Sequence, residues 1–204
     1  MTPRRPARAD RVFLRLLDER LSAGALRAGG RLACRVGCTE CCIGPFPINV
    51  LDALRLMAGL AVLRRRAPAR AAAVIARARA AVERLRPAFP GQRESGLLAP
   101  DEDLREAFFA RHQDLPCPAL DPERGSCDLY EWRPVTCRTY GLPIRAGDED
   151  LPPCRLCFVQ APGGEVEACR VEVDPERRED ALLDALGDDP ELPRETVIAF
   201  ALLR

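Results

Sequence analysis

The segment "CRVGCTECC" sets Cys34, Cys38, Cys41 and Cys42 within nine residues. Thiols at this density suit metal ligation, dithiol redox catalysis, or disulfides to distant partners. A bridge between the neighbours Cys41 and Cys42 would close a strained ring, because bridged cysteines need about 4.4–6.8 Å between Cα atoms. A second group, "CPALDPERGSCDLYEWRPVTC", spaces Cys117, Cys127 and Cys137 ten residues apart. Each stands at a turn: Pro118 follows the first, Gly125-Ser126 precedes the second, and Arg133-Pro134 precedes the third. Cys154 and Cys157 come next in "PPCRLC", and Cys169 completes the ten cysteines.

The compartment decides among these chemistries. "MTPRRPARADRVFLRLLDER" carries arginines but no apolar stretch after them, and no uncharged run of 18 residues occurs later. The expectation is no secretory signal and no membrane span, hence a reducing cytoplasm. There, clustered cysteines read as metal ligands or catalytic groups rather than disulfides.

Four early thiols, three in the middle and at least one near Cys154 give eight candidate ligands. Tetrahedral zinc and cubane iron–sulfur clusters take four each, so eight serve two such centres or one polynuclear centre. Zinc and iron–sulfur both remain open, with 4Fe-4S the form expected if the metal is iron. The candidate metal ligands are thus Cys34, Cys38, Cys41, Cys42, Cys117, Cys127, Cys137, Cys154 and Cys157, the last two both qualifying as the eighth. In an extended segment successive side chains face opposite ways, which would send Cys41 and Cys42 to different metals. Cys169 reads as a small buried apolar residue. A four-thiolate zinc or oxidised cubane centre carries about −2, and Arg35, Arg133, Arg138 and Arg155 could balance it and hydrogen-bond to sulfur.

The elements that must position these thiols are mainly helical. "DRVFLRLLDERLSAGALRAGG" spaces Val12, Phe13, Leu16, Leu17 and Leu21 as a helix face, stopped by Gly29-Gly30. Asn49 is an expected N-cap for "VLDALRLMAGLAVLRRR", with Asp52 in its first turn. Pro68 begins a third helix that ends by Pro87. The two helices make an expected hairpin over 50–86, with nine Arg and only Asp52 and Glu83. Its apolar positions, such as Leu56, Leu60, Val74 and Val82, read as core. "DEDLREAFFARHQD" reads as a short helix with the single His112 as a solvated residue at its end. "GEVEACRVEV" alternates like a strand. "PERREDALLDALG" and "PRETVIAFALLR" read as terminal helices in an extension over about 175–204. The expectation is one domain over 1–204, a small helical fold with irregular cysteine-rich metal loops over about 31–160 and little β structure.

All 31 basic residues are arginine, balanced by 31 acids, but the distribution is uneven. Residues 1–90 hold 18 Arg and 6 acids, and residues 91–204 hold 13 Arg and 25 acids. Because the charges cancel, the halves are expected to face each other.

The two cysteine blocks resemble the CxxCxxCC cysteine-cluster family, the YkgJ-type zinc- or iron-chelating domain. Cys117-Pro118, Leu120, Gly125, Cys127, Tyr130, Glu131, Arg133-Pro134, Cys137-Arg138 and Tyr140 carry the resemblance, which runs from about Cys34 to Cys157. It implies a cytoplasmic metal-chelating domain with eight cysteine ligands. The function expected for this chain is metal binding as a structural, carrier or accessory module. The same domain resembles part of the flagellin lysine N-methylases. Two departures stand out: three residues rather than two separate Cys34 from Cys38, and Cys154 and Cys157 both qualify as the eighth ligand; Cys169 lies outside the pattern.

Other classes fit less well. Cys34-x3-Cys38-x2-Cys41 matches the motif of iron–sulfur enzymes that use S-adenosylmethionine, the alternative reading, but Glu40 replaces their usual aromatic residue and no barrel of strand–helix units is visible. "CRLC" follows two prolines rather than opening a helix beside a βαβ unit, against dithiol redox catalysis. One His leaves no nucleophile–His–acid set. Nucleic-acid binding would rest on Arg alone, without interleaved aromatics, and is not expected. No protein partner can be named from the sequence.

Overall fold

The computed structural model describes residues 8–187 and 194–204. Eight α-helices appear among them: α1 (Arg8–Ala28), α2 (Val50–Arg66), α3 (Pro68–Leu85), α4 (Glu102–Arg111), α5 (Val135–Thr139), α6 (Gly163–Ala168), α7 (Arg178–Leu186) and α8 (Ile198–Ala201). Strands are two or three residues long and form small pairs or one three-stranded sheet. The fold is mainly α. No described helix is long and apolar enough to cross a membrane.

The chain divides into two compact units. One gathers 39–134 with 194–204, and the other gathers 8–38 with 135–187.

The first unit is built on the hairpin of α2 and α3. Asn49 caps α2 by accepting the amide of Asp52 at 3.0 Å, and Pro68 opens α3 after Ala67. A proline at a first helical position loses only an amide that has no helical partner. Ala53, Leu56 and Leu60 of α2 bury with Ala71, Val74 and Ala78 of α3, against Leu129 and Ile198. Trp132 lies over Gly59, where a Cβ would come within 2.4 Å of its ring carbon Cγ. A second apolar group stacks Phe89 on Phe200 and Phe108, with ring centroids 4.8 and 5.4 Å apart. Strand β1 (Ile48–Asn49) pairs antiparallel with β9 (Glu195–Thr196), fastening the C-terminal segment to this unit.

The second unit rests on α1. Phe13, Leu17 and Leu21 recur every fourth residue, which places them on one helix face. They bury with Leu142, Ile144, Val171 and Val173. Strand β6 (Ile144–Ala146) runs antiparallel to β7 (Glu149–Leu151) and parallel to β8 (Val171–Glu172).

Three local expectations change. "GEVEACRVEV" is helix α6 followed by strand β8, because alternation over the first half is outweighed by a turn opened at Pro162. Of "PRETVIAFALLR", the described part is strand β9 and the single turn α8, since pairing with β1 holds Glu195 and Thr196 extended. The part of the C-terminal extension at 188–193 lies outside the described residues. His112 is partly buried at the end of α4, its ring 4.9 Å from that of Phe108 and its Nε2 without a hydrogen-bond partner. Burial, then Arg111 and Arg84, push its pKa down.

Basic and acidic halves meet inside each unit. Arg70 and Arg77 both bind the buried carboxylate of Asp128, at 2.6 and 2.7 Å. In the other unit Arg20 pairs with Glu176 at 2.7 Å and Arg31 with Glu165 at 2.6 Å.

Candidate metal centres

Eight thiols fall into two groups of four, one in each unit. In the helical-hairpin unit, Cys41 and Cys42 lie on a 3-10 turn, Glu40–Cys42. The chain then bridges Ile43 to Pro116, and the amide of Cys117 donates to the carbonyl of Cys42 at 2.7 Å. That link brings Cys117 to the vicinal pair across 75 residues of sequence. Cys127 enters on β5 (Ser126–Cys127), which pairs with β4 (Leu120–Asp121) so that Cys127 opposes Leu120. Cys117 and Cys127 pack against the α2–α3 core.

The electrostatics record how close these sulfurs are. The Cys42 thiol hydrogen-bonds to Cys41 and pushes its pKa down to about 7; burial opposes this, and Arg133 adds to it. Cys42 is pushed up by the same hydrogen bond, then by burial and by Cys41, Cys117 and Cys127. Cys117 is pushed up to about 12 by burial, against the amides of Ala119 and Leu120, which donate to its sulfur. Burial likewise raises Cys127, opposed by the amide of Leu129 and by Arg133. The Arg133 guanidinium is fixed over the Tyr130 ring at 3.8 Å and donates to the Tyr130 carbonyl at 2.7 Å.

In the other unit, Cys34 and Cys38 flank a loop in which Gly37 takes φ +91 and the Cys38 amide donates to the Arg35 carbonyl at 3.0 Å. Cys154 and Cys157 form a tight knuckle: the Cys157 amide donates to the Cys154 carbonyl at 2.8 Å. The Leu156 amide donates to Cys154 Sγ at 3.5 Å. Ala33 donates its amide to Cys157 Sγ at 3.4 Å, and Phe158 donates to the Arg31 carbonyl at 2.8 Å. These bonds lay the two segments side by side. Burial pushes Cys34 up to about 12, reinforced by charge and a hydrogen bond from Cys157, then by Cys38 and Cys154. Cys34 is exposed as a residue even so, because its sulfur faces the cluster while its backbone lies on the loop. Gly141, at φ +112, borders the sulfurs: a Cβ there would sit 2.7 Å from Cys34 Sγ and 3.9 Å from Cys157 Sγ.

Three cysteines thus share one local device. In Cys117, Cys127 and Cys154 the amide of the residue two places on donates to the sulfur. Amides aimed at sulfur stabilise a thiolate and orient it toward a metal. The donor chemistry therefore fits a thiolate-bound metal. Among the described residues no three such side chains stand in a ready coordinating arrangement.

Cys41 and Cys42 lie on a 3-10 turn rather than the expected extended segment, and their thiols hydrogen-bond to each other. Of the trio Cys34, Cys38 and Cys41, Cys34 neighbours Cys38, Cys154 and Cys157 in one unit, and Cys41 neighbours Cys42, Cys117 and Cys127 in the other. Cys137 stands on α5, partly buried. Cys169 is buried in the α1 core. Arg138, considered for charge balance, is instead tied to Asp18 at 2.8 Å. Sequence spacing gave no sign of Gly141 beside the sulfurs, since a glycine after a helix end reads as a cap.

Small helical units, each carrying a cluster of cysteines outside any disulfide with amides donated to sulfur, define a thiolate-rich metal-binding class. The family model CxxCxxCC, "putative zinc- or iron-chelating domain", matches residues 33–157, more than half of the chain, and the protein belongs to that family. No curated protein and no solved structure matches the chain.

Proposed function

We propose that the protein chelates zinc through two closed four-thiolate centres and serves as a structural, carrier or accessory module. Cys41, Cys42, Cys117 and Cys127 hold the first, and Cys34, Cys38, Cys154 and Cys157 hold the second. Four thiolates exceed the zinc charge and leave each centre at about −2, and Arg133 offsets part of that surplus at the first. Cys137 is left over from the expected ligands.

The observation that carries this reading is sulfur–sulfur hydrogen bonding within each group, Cys41 to Cys42 and Cys34 to Cys157. Tetrahedral zinc with bonds of about 2.3 Å spaces its sulfurs by about 3.8 Å, close to such contacts. A cubane places each thiolate on a different iron and needs the sulfurs farther apart. Metal analysis with a visible absorption spectrum tests the reading: a colourless protein with two zinc ions per chain is expected. A brown protein with about four to eight irons would contradict it.

A further inference from the structure

We infer that the second centre is an exchange site, from which zinc passes to a thiol-bearing acceptor through displacement of Cys34, while the first centre retains its metal. The inference rests on the two-centre reading and adds a transfer activity to it. Its basis is an asymmetry in access. Cys34, Arg35, Val36 and Gly37 are all exposed, Val36 at 88%, and a Cβ on Gly37 would touch nothing within 4 Å. The other half of the centre is fixed in the α1 core, with Cys154 and Cys157 buried and each accepting an amide. One pair of ligands is anchored, and of the other pair Cys34 lies exposed on an open loop while Cys38 is partly buried at its end.

The first centre has no such open side. Cys41, Cys42, Cys117 and Cys127 are each partly buried. Cys117 accepts two amides and Cys127 one, and Arg133 is pinned beside them by Tyr130. Outer contacts of this kind are worth about 10–100-fold in metal affinity.

The exchange is balanced as a ligand substitution. An incoming thiol gives up its proton and forms a sulfur–zinc bond; the Cys34–zinc bond breaks and Cys34 takes up a proton. Zinc keeps four sulfurs and no electron changes hands. Arg35 and Arg155, both exposed beside ligand cysteines, lower the cost of bringing an anionic thiolate to the loop.

The test uses full-length zinc-loaded protein mixed with mercaptoacetate and a chromophoric chelator that reports released zinc. Two phases of one zinc each are expected, the first faster by about 10–100-fold. Cys127→Ser should abolish the slow phase and leave the fast one. Arg35→Ala with Arg155→Ala should slow the fast phase several-fold at unchanged zinc content. Cys34→Ser should reduce zinc content to one and remove the fast phase. Two zincs leaving at one rate, or a fast phase that survives in Cys34→Ser and vanishes in Cys127→Ser, overturns the exchange proposal alone. A protein that binds no zinc overturns the two-centre reading with it.

Discussion

The two thiol groups use the same ligand type and differ in what surrounds it. Around Cys117 and Cys127 the sulfurs meet donated amides, the Arg133 guanidinium and the apolar side of α2 and α3. Around Cys34 and Cys38 they meet an open loop, and order comes from the opposite side, where Cys154 and Cys157 join the α1 core. On the proposed reading identical cysteines serve different ends, one group holding a loop-rich segment together and the other keeping Cys34 accessible. The surroundings set the behaviour.

Metal removal should break the comparison hardest. The segment from Cys117 to Pro134 has only two-residue strands and a 3-10 turn, so a structural zinc worth roughly 10–16 kcal/mol would dominate its stability. Hydrogen exchange after complete chelation should show lost protection over 113–134, with α2 and α3 still protected by Leu56, Val74 and their neighbours. Unchanged protection at 113–134 would show that zinc does not hold this segment.

Glycine substitutions separate the centres. Gly141→Ala forces a side chain into φ +112 and against Cys34 Sγ, so strain of about 1–3 kcal/mol falls on the second centre. Zinc content should fall toward one per chain, with the ion of the first centre retained. Gly59→Ala pushes Trp132 off α2, an overpacking cost of about 1–3 kcal/mol that should lower the unfolding midpoint and leave the second centre's zinc in place.

Protons sharpen the contrast in the metal-free protein. Cys34 and Cys117 keep their protons to about 12, whereas the unfolded chain releases them near the ordinary 9.0. The native state then binds more protons than the unfolded state between those values, so stability falls as pH rises through that window. Cys41, lowered to about 7, acts in the opposite sense: its contribution is present above 9.0 and lost as pH falls through about 7. Both slopes should vanish in denaturant titrations of zinc-loaded protein, where the thiolates are ligated. The smallest effect comes from Asn49→Ala, which removes the cap of α2 and should cost about 1 kcal/mol without changing zinc content.

Local rules made much of the fold legible. Asn49 and Pro68 mark the starts of α2 and α3, and Gly29-Gly30 ends α1, because caps and breakers act within a few residues. The cysteines announced metal chemistry by number and spacing. Their grouping was not legible, since Cys34 meets Cys157 and Cys42 meets Cys117 through contacts that no local pattern encodes. The local conformation of Cys41 and Cys42 was not legible for a related reason: an alternation rule holds for extended backbone, and a 3-10 turn at Glu40 removes its premise. Arg133 was visible as a basic residue near Cys137 in sequence, yet its charge acts on Cys41 and Cys127.

The central claim is two independent four-thiolate centres, and native mass spectrometry of the full-length protein tests it most directly. The unsubstituted chain and Cys137→Ser should each carry two zinc ions, and Cys127→Ser and Cys157→Ser should each carry one. A chain in which either of the latter substitutions empties both positions, or in which Cys137→Ser loses an ion, would contradict the account.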